Sequence, residues 1–246
     1  MSQLALATEA EISQKHLSFI ESGRSAPSRE MVLRLAEHLD VPLREHNDFL
    51  LAAGYAPLFR DRPLGDPALE RARVVIDIIL KAHEPYPALT VDRHWTMLAA
   101  NAAVTPLLTI VDPALLKPPV NVMRLSLHPR GLAPLIVNLA EWRSHLLDRL
   151  RRQFRLTRDP VIDALLREMT GDETPADRQT ERQAHALHQE IAVPLRLRTH
   201  AGVLSFLSTI TVFGTPVEIT LSELSLEAFY PADAQTAASM QAMGGL

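Results

Sequence analysis

The 246-residue sequence contains no cysteine. That excludes disulfides, cysteine-based zinc sites and thiol nucleophiles, and it suits a reducing cytoplasm. Glycine is scarce, with nine residues in all, and none builds a phosphate-cradling loop, a dinucleotide fingerprint or a Gly-x-Ser-x-Gly elbow. Serine, histidine and aspartate are scattered without the arrangement of a triad, so neither enzymatic activity nor a required cofactor is expected. No apolar run approaches the length that spans a bilayer, and a basic-then-apolar leader pattern is not seen. The expectation is a cytoplasmic protein without a membrane partner. An excess of positive charge is missing too: the net charge is -4 and the pI about 6.2. A chain coated in nucleic acid is thereby excluded, and any DNA contact must be local to one patch.

What is present is an ordinary globular composition, 47% hydrophobic, enough to bury the cores of one or two domains. The most informative stretch is Ser2 to Val41. Within it Ser13 is a good N-cap, Leu17, Ile20 and Phe19 supply an apolar side at helical spacing, and Gly23 sits where a helix ends in a left-handed turn. Gln3 to Ala7 reads as a preceding short helix, with Thr8 to Glu11 as the turn between them. Two short helices so tightly joined describe a helix-turn-helix. Pro27-Ser28 opens a third helix whose stripe of Met31, Val32, Leu35, Ala36 and Leu39 clamps the first two.

The segments SQLALA, ISQKHLSFIESGR and PSREMVLRLAEHLDVP resemble the XRE family of repressor-type DNA-binding domains. The resemblance implies that the helix from Ser13 to Ser22 lies in the major groove of a double-stranded operator. Gln14 and Lys15 would then face base edges, suiting adenine and guanine respectively, and Ser18 and Phe19 would reach thymine methyls. Ser13, Arg24, Ser28 and Arg29, near helix termini, would hold phosphates. Two features depart from the family. Its members carry one more helix before the motif, so the head is one helix short and a longer native N-terminus is expected. Residues 1–56 also hold five Lys or Arg against eight Asp or Glu, net -3, which predicts weak DNA binding by a single head. Glu11 occupies a turn position that is usually glycine in the family, at a cost on the order of 1 kcal/mol if the left-handed conformation is kept.

A fourth helix is expected from Leu43 to Ala53, and the charged, Pro-containing stretch 57–67 is a linker. Residues 68–232 form the second domain, and 233–246 a small, polar tail that frays. Ala68 to Ala82 reads as an amphipathic helix with Val74, Val75, Ile78 and Ile79 inward. Ala88 to Val91 and Trp95 to Ala99 pair as strands, and Asn101 caps a helix running to about Ile110. Helices follow at Asn121 to Leu127, Leu132 to Phe154 and Pro160 to Met169. Arginines 149, 151, 152, 155 and 158 near the end of the long helix complement its dipole. Three strand-like runs close the chain, Ile191 to Thr199, Val203 to Phe213 and Val217 to Phe229, the last with a bulge near Ser222 or Glu223.

A hairpin, helices and a three-stranded meander follow the order of a PAS-like fold. The segments HEPYPALTVDRHWTMLAAN, NVMRLSLHPRGL, NLAEWRSHLL, VPLRLRTHAGVLSF and FGTPVEITLSEL resemble the MmyB-like ligand-binding domain that accompanies XRE heads in bacterial regulators. The fold class implied is α+β: an all-α head, then a five-stranded antiparallel sheet flanked by helices around a cavity for an apolar, fatty-acid-like molecule. Wall candidates are Trp95, Met97, Leu125, Leu139, Trp142, Phe206 and Ile210; Arg124, His128 and Arg143 could meet an anionic head. Glu181, His185 and His188 stand at helical spacing, but in a polar setting that does not build a metal site. The expectation is a ligand-responsive regulator acting as a homodimer. The rival is a protein-interaction or small-molecule carrier module with a vestigial helix-turn-helix.

Overall fold

The computed structural model describes residues 2–171, 193–200, 202–214 and 217–244. Strand-like residues 191 and 192, polar-loop residues 172–182, and Glu181, His185 and His188 fall outside the described residues. The chain divides into two compact units, Met1–Leu69 with Phe213–Glu223, and Glu70–Val212 with Leu224–Leu246.

The first unit is built on α1 (Gln3–Glu9), α2 (Gln14–Glu21), α3 (Arg29–His38) and α4 (Leu43–Ala52). Ser2, Ser13 and Ser28 each cap a helix, their side-chain oxygens accepting from the amides of Ala5, His16 and Met31. Each cap satisfies one otherwise orphaned donor. Between α1 and α2, Glu11 holds φ +53, so the turn keeps its left-handed residue without glycine, at roughly 1 kcal/mol. Leu6, Ala7 and Leu17 form a small core closed by Ile12 and Leu35, while Ala10 and Ala36 are fully buried. The stretch after α4 is pinned rather than loose. Asn47 accepts from the amides of Leu58 and Phe59 and donates to the carbonyl of Phe59. Arg44 reaches Glu223 at 2.7 Å and Asp61 at 2.6 Å, and these hydrogen bonds hold its guanidinium protonated well above the ordinary arginine value. Where a bulged strand is expected, residues Ile219–Ser222 form a helical turn, α10, packed on α4. The parity change near Ser222 marks that turn.

The second unit centres on an antiparallel sheet of β1 (Ala88–Val91), β2 (Met97–Ala100), β3 (Leu195–Thr199), β4 (Gly202–Val212) and β5 (Ser225–Pro231), in the order β2-β1-β5-β4-β3. One face packs against α8 (Leu139–Thr157) and α9 (Pro160–Thr170) through Trp142, Leu146, Leu147, Leu150, Ile162, Leu204 and Phe206. The long helix starts seven residues later than its periodicity predicts. Residues before it are drawn to the sheet instead: Ile136 bridges Leu197, and the Val137 amide donates to the Arg196 carbonyl. The expected helix after Asn101 breaks into a 3-10 turn, Ala102–Val104, and α6 (Thr105–Leu108). The Asn101 side chain is spent on the Ala88 amide and the Leu80 and Tyr86 carbonyls rather than on a cap. α7 spans Val122–Leu127, capped by Asn121.

Two expectations about this unit are overturned. In α5 (Glu70–Ala82) the buried residues are Ile76 and Leu80, whereas Val74, Val75, Ile78 and Ile79 face outward at 39–61% exposure. The helix has apolar residues on both sides, and periodicity alone picked the denser one. Residues Ala234–Gly244 form α11 rather than a fraying tail. Thr236 and Met240 are buried, and the Thr236 hydroxyl accepts from the Ser205 amide on β4 at 2.9 Å. Among the described residues no helix is long and apolar enough to cross a membrane.

Candidate DNA-reading helix and ligand cavity

In the first unit, α2 presents a polar face. Ser13, Gln14, Lys15 and Ser18 are exposed, as are Arg24, Ser28 and Arg29 beyond it. Leu17, 2% exposed, is the buried anchor that fixes which way this face points. Phe19 is half-buried, with the Lys15 Nζ 5.6 Å and the Arg24 Cζ 5.9 Å from its ring centre. It holds two cations beside the helix rather than standing alone. Gln14, the first residue of α2, donates to Gln3 Oε1 at 3.3 Å, and Gln3 donates to Glu21 Oε2 at 2.6 Å. Sequence reasoning missed Gln3. Its signal was only its place as the first residue of α1, and nothing in the spacing announces that it braces Gln14.

In the second unit a cavity of about 90 Å³ lies between the sheet and the helices. Trp95, Met97, Leu125, Trp142 and Phe206 line it as expected, joined by Leu89, Met123, Leu146 and Phe229. Its polar groups are few: Ser126, whose hydroxyl accepts from Trp142 Nε1 at 2.9 Å, and Glu227. The expected anionic-head residues do not reach it. Arg124 is bound bidentately by Glu168 at 2.7 Å on the surface, His128 accepts from the Arg130 amide, and Arg143 donates to the Met169 carbonyl. Leu139 packs at the edge of the core and Ile210, 48% exposed, lies in a separate groove. Arg124 lies on α7, His128 just after it, Leu139 and Arg143 on α8 and Ile210 on β4, and none of the five lines the cavity.

Instead the charge beside the cavity is an ion pair on Glu227. Arg149 donates to its carboxylate at 2.8 Å, with side chains only 15% and 8% exposed. The Arg149 guanidinium also lies 4.5 Å from the Trp95 ring. Trp95 itself sits at φ +66 in the β1–β2 turn, where Asp92 accepts from the amides of His94 and Thr96. A left-handed tryptophan costs on the order of 1 kcal/mol, offset here by burial of the indole and by its bond to Gln153 at 2.9 Å.

These features match two families. Residues 72–243 match the MmyB-like transcription regulator ligand binding domain, and residues 1–46 match Helix-turn-helix. The chain belongs to the MmyB-like transcription regulators. No curated protein matches it. The regulator thus combines a DNA-binding head with a ligand-binding domain. Among the described residues no cluster of three or more potential metal ligands occurs.

The turn that carries Trp95 is fastened to α9 by Asp159, which accepts from the Val161 amide and bonds His94 Nε2 at 3.0 Å. Burial alone would raise this carboxyl, but the bonds from His94 and Val161 and the charge of Arg93 outweigh burial and hold it below the usual aspartate value. A depressed folded-state pKa gives stability that is complete above the unfolded value of about 4 and lost as pH falls through the folded one. Asp159→Ala should therefore cost about 1–2 kcal/mol at neutral pH, with the difference from wild type shrinking below pH 4. Urea unfolding at pH 7 and pH 3 checks it; an equal gap at both pH values would refute the assignment.

Proposed function

We propose that the regulator reads a two-fold operator as a cytoplasmic homodimer, and that an apolar, fatty-acid-like molecule in the Trp142 cavity alters that binding. Neither catalysis nor a resident cofactor belongs to this reading. The observation that carries it is the cavity itself, enclosed by tryptophan, phenylalanine, leucine and methionine with two polar groups, in line with the general anatomy of small-molecule sites. At about 90 Å³ the cavity lies below the volume of ordinary small-molecule pockets, so an acyl chain must displace side chains. Met97 and Met123 are the adaptable ones. A neighbouring apolar pocket shares Leu107, Leu132 and Leu197 with the cavity, and rotation of these leucines would join the two spaces.

The acidic head favours dimeric operation, because one copy neutralises few phosphates. A suitable self-complementary surface is the outward stripe of Val74, Val75, Ile78 and Ile79 on α5. Antiparallel pairing of two such helices brings Glu70 at one end beside Lys81 at the other, twice over.

The test starts from operators selected out of random duplex DNA, followed by fluorescence anisotropy with and without decanoate. The expected site is a palindrome with half-sites about one helical turn apart. Gln14→Ala should lose about 1–3 kcal/mol at one base pair per half-site, and decanoate should change affinity by about 5- to 150-fold. Uniform affinity for all duplexes would favour the interaction-module reading, in which the helix-turn-helix is vestigial.

A further inference from the structure

Beside the cavity runs a groove of about 640 Å³ between α8 and β4, lined by Arg149, Arg151, Arg152, Arg155, Ser208 and Ile210, with His145 and Asp148 at its edge. The arginines, with His145 and Asp148, recur at three- and four-residue spacing, so they form one stripe of α8 facing the strand. Complementing the helix dipole explains Arg155, in the last turn, but that effect fades within one turn and does not reach Arg149 or Arg152. Of the four guanidinium groups here, Arg151 pairs with Asp148 at 3.0 Å and Arg149 with Glu227 at 2.8 Å. Arg152 and Arg155 are exposed and make no ion pair among the described residues.

The fourth arginine connects the two spaces. Arg149 lines the groove, while its partner Glu227 lines the apolar cavity. Their ion pair is thus the partition between an apolar chamber and a cationic trough. It is an incomplete partition: Arg149 Nη2 is buried and has no hydrogen-bond partner among the described residues, so a donor is held ready for an acceptor that these residues do not supply.

We propose that this groove binds the phosphate of an alkyl or acyl phosphate monoester whose tail occupies the cavity, the phosphate competing with Glu227 for Arg149. Two guanidiniums without an ion pair among the described residues, Arg152 and Arg155, match a doubly charged phosphate, and Arg149 Nη2 supplies a third contact. A monocarboxylate would leave part of that charge unanswered. The proposal rests on the reading of the cavity as an apolar-ligand site and adds the head group to it.

The two tryptophans of the chain, Trp95 and Trp142, both line the cavity, so intrinsic fluorescence reports occupancy directly. The full chain would be titrated with decanol, decanoate, decyl phosphate and inorganic phosphate, in wild type and in the double variant Arg152→Gln with Arg155→Gln. The expected result is decyl phosphate binding at least tenfold tighter than decanol or decanoate in wild type. In the variant that advantage shrinks to about twofold while decanol binding is unchanged. Both substituted residues are exposed, so an unaltered melting temperature accompanies the loss. Equal binding of decanol and decyl phosphate in wild type, or an advantage that survives in the variant, overturns the head-group site and leaves the cavity reading intact. Decanoate as tight as decyl phosphate overturns the doubly charged head. Binding of inorganic phosphate alone, with no tailed compound bound, makes the groove a free-anion site and refutes the cavity reading as well.

Discussion

Glu227→Ala is expected to lower the free energy of unfolding by about 3 kcal/mol, the lower end of what breaking a buried ion pair does. The carboxylate is 8% exposed and its partner Arg149 15%, so the attraction acts away from bulk water. The loss is set less by the bond removed than by the charge left behind. Arg149 already has one nitrogen without a partner among the described residues, and without Glu227 its ion pair is gone while the Trp95 ring still covers it. Its residual access to the groove is what keeps the figure from being larger. The double variant Glu227→Leu with Arg149→Met should recover most of the loss, since an apolar pair of similar volume needs no compensation. By contrast Glu168→Ala, removing the 45% exposed partner of Arg124, should stay within about 1 kcal/mol. Urea unfolding with unchanged m-values measures all three. A loss under about 1 kcal/mol for Glu227→Ala would mean that the guanidinium swings freely into the groove and that the pair is no partition.

That pair was also the part of the site least legible in the sequence. Arg149 and Glu227 lie 78 residues apart, on a helix and a strand whose register no local pattern reveals. Arg149 stood in a run of arginines whose helix-end position already had an explanation, and Glu227 was one acidic residue in an apolar strand. What local physics dictates was legible: the serine caps of α2 and α3 and the antiparallel meander of β3, β4 and β5; the left-handed turn at Glu11 was legible only through the family resemblance. Legible too were five of the residues that line the cavity. Large apolar side chains flanking turn and cap signals have few other places to go. The errors arose where two solutions were locally equal. α5 carries apolar residues on two sides, and only the sheet decides that Ile76 and Leu80 go in. α11 has almost no apolar asymmetry, being mostly small residues, and is held by Thr236 and Met240 against strands that precede it in the chain. Arg124 and Arg143 each neighbour a wall residue in sequence, Leu125 and Trp142, yet on a helix such neighbours point some 100° apart.

Trp142→Ala should cost about 3–5 kcal/mol, and the same variant separates a ligand wall from an ordinary core. The substitution removes an indole 3% exposed, its bond to Ser126 and its stacking on His145 at 5.4 Å between ring centres. Trp142→Phe, which keeps a ring but strands the Ser126 hydroxyl, should lose about 1–2 kcal/mol. In the alanine variant indole can refill the space, and a ligand present at 100 times its dissociation constant restores about 2.7 kcal/mol. If Trp142 were core alone, indole would rescue the variant and decanoate would leave the wild-type melting temperature unmoved. If it walls a ligand chamber, decanoate raises the melting temperature of the wild type as well, and Trp142→Ala shifts the preferred chain length upward because the void admits more methylenes at about 0.8 kcal/mol each. The chain-length shift is the deciding quantity, since destabilisation follows from either role whereas a changed ligand preference follows only from a wall.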